Sequence, residues 1–238
     1  MSPLIAIEAI GADAASFLHN QLSNDINALA IGDSCAAHYC SVKGRTLTFF
    51  VIKRLEEERF VLICHADQHE PLLKRLRMFV LRSKVTLAVI DWEHLGEQSF
   101  ANAQFNITAQ TLASEGAIEA AVSCALPFLP AASQEQHIPQ SLNGDLDGSV
   151  NFKKGCYPGQ EIVARTHYLG KPKRRMHRVS TSTPLEAGAS LDANEKSVGE
   201  VILAAENQAL ITLHIEAVSL PLSVSGQPIE IINPESTP

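Results

Sequence analysis

Lys153-Lys154-Gly155-Cys156-Tyr157-Pro158-Gly159-Gln160-Glu161-Ile162-Val163-Ala164-Arg165 is the stretch around which the chain is read. It is too polar, and too punctuated by glycine and proline, for a core segment. It reads as a loop that turns sharply into a helix. Pro158 suits the first helical position, where its missing N–H is no loss. Ile162, Val163 and Ala164 give a short apolar face, and Glu161 and Arg165, four apart, are placed to pair across one turn. Gly170 and Pro172 supply the stop.

That geometry sets Cys156 just ahead of a helix N-terminus, near unpaired N–H groups and the positive end of the dipole. Lys153 and Lys154 add positive charge. Both effects favour thiolate and lower a cysteine pKa below ~8.5. Gly155 and Gly159 allow close approach of backbone N–H groups to an anion. The alternative is a small packing cysteine beside a solvated lysine edge. On residue chemistry alone the two readings stand level.

The pattern Lys-Gly-Cys-Tyr-x-Gly-Gln-Glu-x-x-x-Arg resembles the signature of the YgfZ family of folate-binding proteins. That family is a branch of the glycine-cleavage T-protein (aminomethyltransferase) superfamily. Lys154, Gly155, Cys156, Tyr157, Gly159, Gln160, Glu161 and Arg165 carry the match, and no position of the motif is missing. Near the N-terminus, Phe17-Leu18-His19-Asn20-Gln21-Leu22-Ser23-Asn24-Asp25 is similar to the Phe-Leu-x-x-Gln-x-Ser/Thr-x-Asp start of the superfamily. There the turn lies near the folate site, which makes Gln21, Asn24 and Asp25, together with Lys154, Gly155, Tyr157, Gly159, Gln160, Glu161 and Arg165 of the signature, candidate residues of a folate pocket bordered by the turn and the signature. Tyr39-Cys40-x-x-Lys43-Gly44 and Ile138-Pro139-Gln140-Ser141-Leu142-Asn143 are family-like as well.

The chain has 238 residues, enough for one elaborate domain or two modest ones. Hydrophobic residues make up 45% and aromatics 5%, so the core rests on Leu, Ile, Val and Ala. A net charge of −7 argues against direct nucleic-acid binding, which needs a basic surface. No apolar run reaches the ~18–20 residues needed to span a bilayer. Met1-Ser2-Pro3 lacks the basic n-region of a secretory signal, and no Arg-rich transit pattern precedes the first strand. The cysteines Cys35, Cys40, Cys64, Cys124 and Cys156 are odd in number and fit no disulfide framework, zinc knuckle or cluster-binding run. All but Cys156 sit among apolar neighbours and read as buried thiols. A reducing cytoplasm is the expected location.

Leu4 to Ile10 reads as a strand, followed by a helix capped by Asp13 with Phe17, Leu18 and Leu22 inward. Ser34–Ser41, Thr46–Lys53 and Arg59–Cys64 read as an antiparallel meander. Asp67–Leu81 has helical spacing, and Lys84–Ile90 is a further strand. This order predicts an α+β unit of ferredoxin-like type. Trp92–Pro139 is the least readable part, with a strand ending at Asn106–Thr108 and a helix over Glu115–Leu126 whose inward residues are Ile118, Ala121, Val122 and Ala125. By the resemblance, the chain is shortened there. After Pro172, short strands at Met176–Ser182, Ala189–Asp192, Ser197–Ala205, Ala209–Ala217 and Pro228–Ile232 predict a small β-barrel, with bends at Gly199 and Gly226. The expected organisation is a T-protein-like α+β region of ferredoxin-like subdomains over residues 1–170 and a C-terminal barrel over 171–238. His65 and His69 lie four apart, yet without a third ligand they read as surface histidines rather than a metal site. The run Lys171-Pro172-Lys173-Arg174-Arg175 reads as a solvated loop, or as a receiver of carboxylates such as a folate glutamate tail.

The resemblance implies a monomer that binds tetrahydrofolate or another reduced folate and services iron–sulfur clusters in client proteins, including enzymes that modify tRNA. Cys156 is then its reactive thiol. A T-protein-like aminomethyl transferase is the alternative. T-proteins carry acidic residues, the catalytic aspartate among them, shortly after the Lys-Gly of the hairpin, and Gly44-Arg45-Thr46-Leu47-Thr48-Phe49-Phe50 holds none. A non-catalytic folate-binding module is the third reading. Whether the chain is an enzyme stays open at this point, with the accessory role favoured.

Overall fold

Near-continuous apolar runs in the N-terminal strands have a simple cause: both faces of their sheet are covered, so both sets of alternating side chains are buried. The computed structural model describes residues 2–232. β1 (Leu4–Ile10), β2 (Ser34–Cys40), β3 (Thr46–Glu56), β4 (Arg59–His65) and β5 (Thr86–Ile90) form an antiparallel sheet in the order β2-β3-β4-β1-β5. α1 (Ala14–Gln21) follows β1 and α2 (His69–Val80) follows β4. Apart from the edge strand β2, this is the ferredoxin-like arrangement expected. Phe50, Ile52, Phe60 and Leu62 face the two helices, meeting Phe17, Leu18, Leu72, Leu73 and Leu76. Phe49, Val51, Val61 and Ile63 face the other way. Each such buried side chain contributes about 1.5–3 kcal/mol.

Asp13 does precede α1, but its side chain does not cap that helix. Its carboxylate accepts the Lys84 N–H at 2.6 Å and so ties the helix entry to the β5 approach.

The second face is covered by the segment that was hard to read. β6 (Ser99–Ala101) and β7 (Asn106–Thr108) make a two-stranded ribbon, followed by α3 (Ala109–Ala113) and α4 (Ala117–Ser123). Phe100, Phe105, Leu112, Val122 and Phe128 pin it to Phe49 and Val51 of the sheet. α4 is shorter than expected. Ala121 and Val122 point inward, whereas Ala125 is exposed at φ 53°, because the chain leaves the helix there.

α5 (Gln160–Leu169) leads to the barrel. β8 (Arg174–Thr181), β9 (Ser190–Ala193), β10 (Lys196–Ala204), β11 (Gln208–His214), β12 (Leu222–Val224) and β13 (Gln227–Ile232) close in the order β10-β11-β8-β13-β12-β9. Val179, Leu191, Val201, Ile211, Leu213 and Ile229 fill its interior. Met176, Ile202 and Leu210 instead join the core beneath the five-stranded sheet. The register shifts at Gly199, and Gly226 forms the β12–β13 turn at φ 80°. β12 was not anticipated; three residues after a proline carry too little pattern to be seen. Residues 233–238 of the expected barrel region lie outside the described residues. Among the described residues, no helix is long and apolar enough to cross a membrane.

Candidate functional site

The signature begins with a buried cation. Lys154 Nζ donates to the carbonyl oxygens of His19 and Leu22, the latter at 2.6 Å, and lies 5.0 Å from the Tyr157 ring centroid. Those carbonyls belong to the C-terminal end of α1, which needs donors and favours positive charge. Burial lowers the Lys154 pKa to about 8, while Asp25 and Cys156 oppose the shift. Lys154 therefore does not stand beside Cys156 as a solvated charge; it clamps the signature to the N-terminal turn. Tyr157 is buried, and desolvation, then Cys40, pushes its phenol up.

The turn is held from the other side too. Ser23 Oγ donates to the Ser149 carbonyl at 2.6 Å and accepts the His38 N–H at 2.8 Å. The Asn24 amide donates to the Ala36 and Gly148 carbonyls at 2.8 and 2.9 Å, and its oxygen accepts the Asp25 N–H. Asp25 lies 3.0 Å from His19 Nδ1 and accepts the Ala28 N–H. Gln21 is buried with its Oε1 lacking a partner. Beneath these, His38 is fully buried between Ser149 Oγ (3.0 Å) and Thr46 Oγ1 (3.2 Å), and desolvation lowers its pKa to about 3, so it stays neutral.

The second half of the signature departs from expectation. Pro158 is not the first helical residue. Gly159 follows it at φ 79°, and α5 starts only at Gln160. A Cβ on Gly159 would lie 2.3 Å from the Ser41 carbonyl oxygen and 2.7 Å from Gly44, so the glycine is where the signature rests on the Lys43-Gly44 hairpin. Cys156 thus sits four residues before the first helical residue rather than two. It is exposed, as are Lys153 and Gly155. Gln160 is half-buried, with its N–H given to the Tyr157 carbonyl. Glu161 and Arg165 are both exposed, and no ion pair joins them among the described residues. Ile162 also faces outward, leaving Val163 as the buried residue of α5.

None of these residues lines the cavity described next. It has a volume of about 280 Å³ and lies between the sheet, the ribbon and the barrel. Ala36, Phe49, Phe105, Leu126 and Met176 wall it, with Asn143 and Asp147 from the loop ahead of the signature. That loop is fixed at both ends. Arg175 of β8 holds Asp145 through two contacts, 2.5 and 3.0 Å, and also donates to the Gln140 carbonyl. The Asn143 side chain pairs with both the N–H and the carbonyl of Met176. Asp147 accepts the Ser149 N–H at 2.8 Å. Burial outweighs that bond and pushes the Asp147 carboxyl up to about 6. Asp147 carries little signal in the sequence. Its only signal was a Gly/Asp-rich loop beginning at Asn143, which has φ 65°. Phe49 stands in the cavity wall on the strand stretch that lacks a carboxylate.

The other cysteines are covered to different degrees. Cys40 and Cys64 are buried; burial pushes the Cys40 thiol to about 12 and Cys64 higher still. Cys35 and Cys124 are only partly covered, contrary to expectation, and Cys124 reaches the cavity wall. Burial pushes Cys35 to about 12. His65 pairs with Asp67 at 2.7 Å and His69 with the Ala66 carbonyl, each a local contact. The basic run divides. Arg174 reaches Glu200 and His214, Arg175 holds Asp145, and Lys171 and Lys173 are exposed.

Similarity to known proteins bears on the family and the fold of the chain. Residues 173–238 match the family described as CAF17, C-terminal beta-barrel domain. An uncharacterized protein of Haemophilus influenzae is 28% identical over 88% of this chain and 84% of its own. A "tRNA-modifying protein YgfZ" of Aliivibrio fischeri is 30% identical, covering 82% of this chain and 74% of that protein. Another of that name, from Vibrio vulnificus, is 26% identical over 88% of this chain and 78% of that one. Among solved structures, the glycine cleavage system aminomethyltransferase T of Bartonella henselae aligns with a TM-score of 0.61 at 15% identity. It covers 96% of this chain and 82% of that one, and shows the shared fold.

Proposed function

Since the chain belongs to the YgfZ family, we propose that it binds a reduced folate in the Asp147 cavity and acts, as a monomer, as an accessory factor for iron–sulfur client proteins, among them enzymes of tRNA modification. The observation that carries this reading is a half-buried carboxylate, raised to about 6, in an otherwise apolar cavity between the sheet and the barrel. The residues present fit the head of such a ligand. A space of about 280 Å³ suits a bicyclic ring better than a whole folate with its tail. Phe49, Phe105 and Met176 offer flat and polarizable apolar contact. Asp147 offers an acceptor for ring N–H donors. A bound folate would supply a one-carbon carrier, and the chain's own part is to hold and orient it.

The same geometry weighs against aminomethyl transfer. The strand stretch Thr46–Phe50 presents Phe49 to the cavity, not a carboxylate. Lys154, Asn24 and Asp25 are engaged in holding the turn. Their part is to brace the 148–151 segment beside the cavity loop. Cys156, exposed and outside the cavity, is the group available to a client protein. Calorimetric titration with tetrahydrofolate tests the reading: saturable binding weakened by Asp147→Ala is expected. No heat at millimolar ligand overturns it, and transfer of an aminomethyl carbon to tetrahydrofolate by the purified protein replaces it with the enzyme reading.

A further inference from the structure

We infer that the outward face of α5, together with the Val42–Lys43 hairpin tip, is a docking surface for an apolar patch rimmed by carboxylates on an iron–sulfur client protein. This rests on the accessory role proposed above and names where a client would sit.

α5 is a ten-residue helix with its hydrophobic side largely outward. Val163 alone is buried, while Ile162, Tyr168 and Leu169 are 39%, 66% and 82% exposed. At a period of 3.6 residues, Ile162, Arg165 and Leu169 fall on one stripe, and Tyr168 flanks it. Val42, 77% exposed, extends the stripe, because Gly44 of its hairpin packs directly on Ile162. Apolar side chains grouped this way on a charged protein mark a contact surface. The aromatic part is already ordered: Phe152 stacks on His167 with centroids 3.7 Å apart, and Tyr168 meets both edge-on. A side chain held before binding loses less entropy on binding.

Charge identifies the partner. From Lys153 to Lys173, Glu161 is the one acidic residue, while Lys153, Arg165, Lys171 and Lys173 are exposed, as is Lys43 on the hairpin. The chain as a whole carries −7, so this face has the opposite sign to the chain's net charge. It therefore complements carboxylates and steers them during encounter. RNA also seeks cations and aromatic rings, but aliphatic Val42, Ile162 and Leu169 offer it neither a stacking plane nor a phosphate contact. An aromatic and aliphatic centre with arginine beside it is the composition of a protein–protein contact. Cys156 is exposed on the loop that enters α5, so a client seated here meets the thiol.

The test uses the full chain and, as probe, a purified iron–sulfur tRNA-modifying enzyme from the same organism, with binding followed by biolayer interferometry. Leu169→Asp and Arg165→Glu should each weaken association at least about tenfold, and added salt should weaken the wild type. Lys74→Glu on α2 should bind as the wild type does. Both residues of the stripe are exposed, so folding is checked by an unchanged melting curve. No association by the wild type, or equal association by both stripe variants, overturns the proposal. So does a self-dimer broken by Leu169→Asp, or binding of bulk tRNA abolished by Arg165→Glu. Tetrahydrofolate titration of the same proteins keeps the two ideas apart. Variants that bind folate but not the client place the loss on this surface, whereas a wild type that docks but ignores folate overturns the cavity reading instead.

Discussion

Residues 153–160 and residues 143–148 use their polar side chains differently. In the first stretch, Lys154 donates hydrogen bonds to carbonyls at the end of α1 and Gly159 closes onto the hairpin, so the polar groups of the motif serve as support. In the second, Asn143 and Asp145 anchor the loop to β8, which frees Asp147 to line the cavity. One region holds its neighbours, the other is held so that one carboxylate faces a cavity. The comparison teaches that a dense motif can frame a cavity without lining it.

The largest effect should come from Gly159→Ala. The residue sits at φ 79°, and the new Cβ would meet the Ser41 carbonyl oxygen, a backbone atom, at 2.3 Å. Left-handed strain and that clash together should destabilise the fold by about 4 kcal/mol. Denaturant unfolding measures it. A loss below about 1 kcal/mol would mean that the hairpin contact is dispensable and that the signature is not a frame.

Next comes Lys154→Met, which keeps the apolar stem and removes the donors. Two carbonyls at the end of α1 lose their buried charged partner, a cost of about 3 kcal/mol. Folate binding should weaken only as far as the turn loosens. If Lys154→Met is as stable as the wild type yet no longer binds folate, the lysine belongs to the lining after all and the contrast between the two regions fails.

What the sequence disclosed follows the same division. The meander, α1, α2 and most barrel strands were legible because their periodicity extends over enough residues to be unambiguous. Ferredoxin-like order followed from that. The 92–137 segment was legible only in part: the strand at Asn106–Thr108 and the middle of α4 stood out, whereas β6 and α3 are three and five residues long and are fixed by packing against Phe49 and Val51, which local pattern does not reveal. Within the site, the resemblance pointed to Lys154, Gly159 and the Gln21–Asp25 turn, and these do come together through the Lys154 clamp. Their roles were not legible. Whether a lysine faces solvent or a helix end depends on contacts 132 residues away. Asp147 looked like any turn aspartate; only burial, a property of the folded chain, raises it to about 6.

Asp147→Asn sharpens the second half of the comparison. A carboxyl raised from 3.8 to about 6 binds its proton more tightly in the folded state. Its contribution is therefore favourable below about 4 and is lost as pH rises through about 6. Reduced for partial solvent exposure, the difference is about 1 kcal/mol. The asparagine variant should show a flatter stability profile over that range. For the ligand the sign is opposite: an ionised acceptor binds N–H donors better, so tetrahydrofolate affinity should rise as pH passes about 6 in the wild type and stay level in the variant. Parallel pH profiles for the two proteins would remove Asp147 from ligand binding.

The smallest effect on stability, and the one with the clearest functional edge, belongs to Cys156. The side chain is exposed, so Cys156→Ser should move the melting temperature by no more than about 2 °C. Reactivity should separate it from the other thiols. Cys35, Cys40 and Cys64 are held protonated by burial, and Cys124 is partly covered, so iodoacetamide at neutral pH should label Cys156 first, as read by peptide mass spectrometry. A frame with an exposed thiol on its outer side predicts a specific split for the serine variant: folate bound as before, and modified tRNA nucleosides not restored in cells lacking the protein. If the serine variant restores them fully, the outer side of the signature carries no thiol chemistry. Cys156 then joins Lys154 and Gly159 as part of the support, and the function rests on the cavity alone.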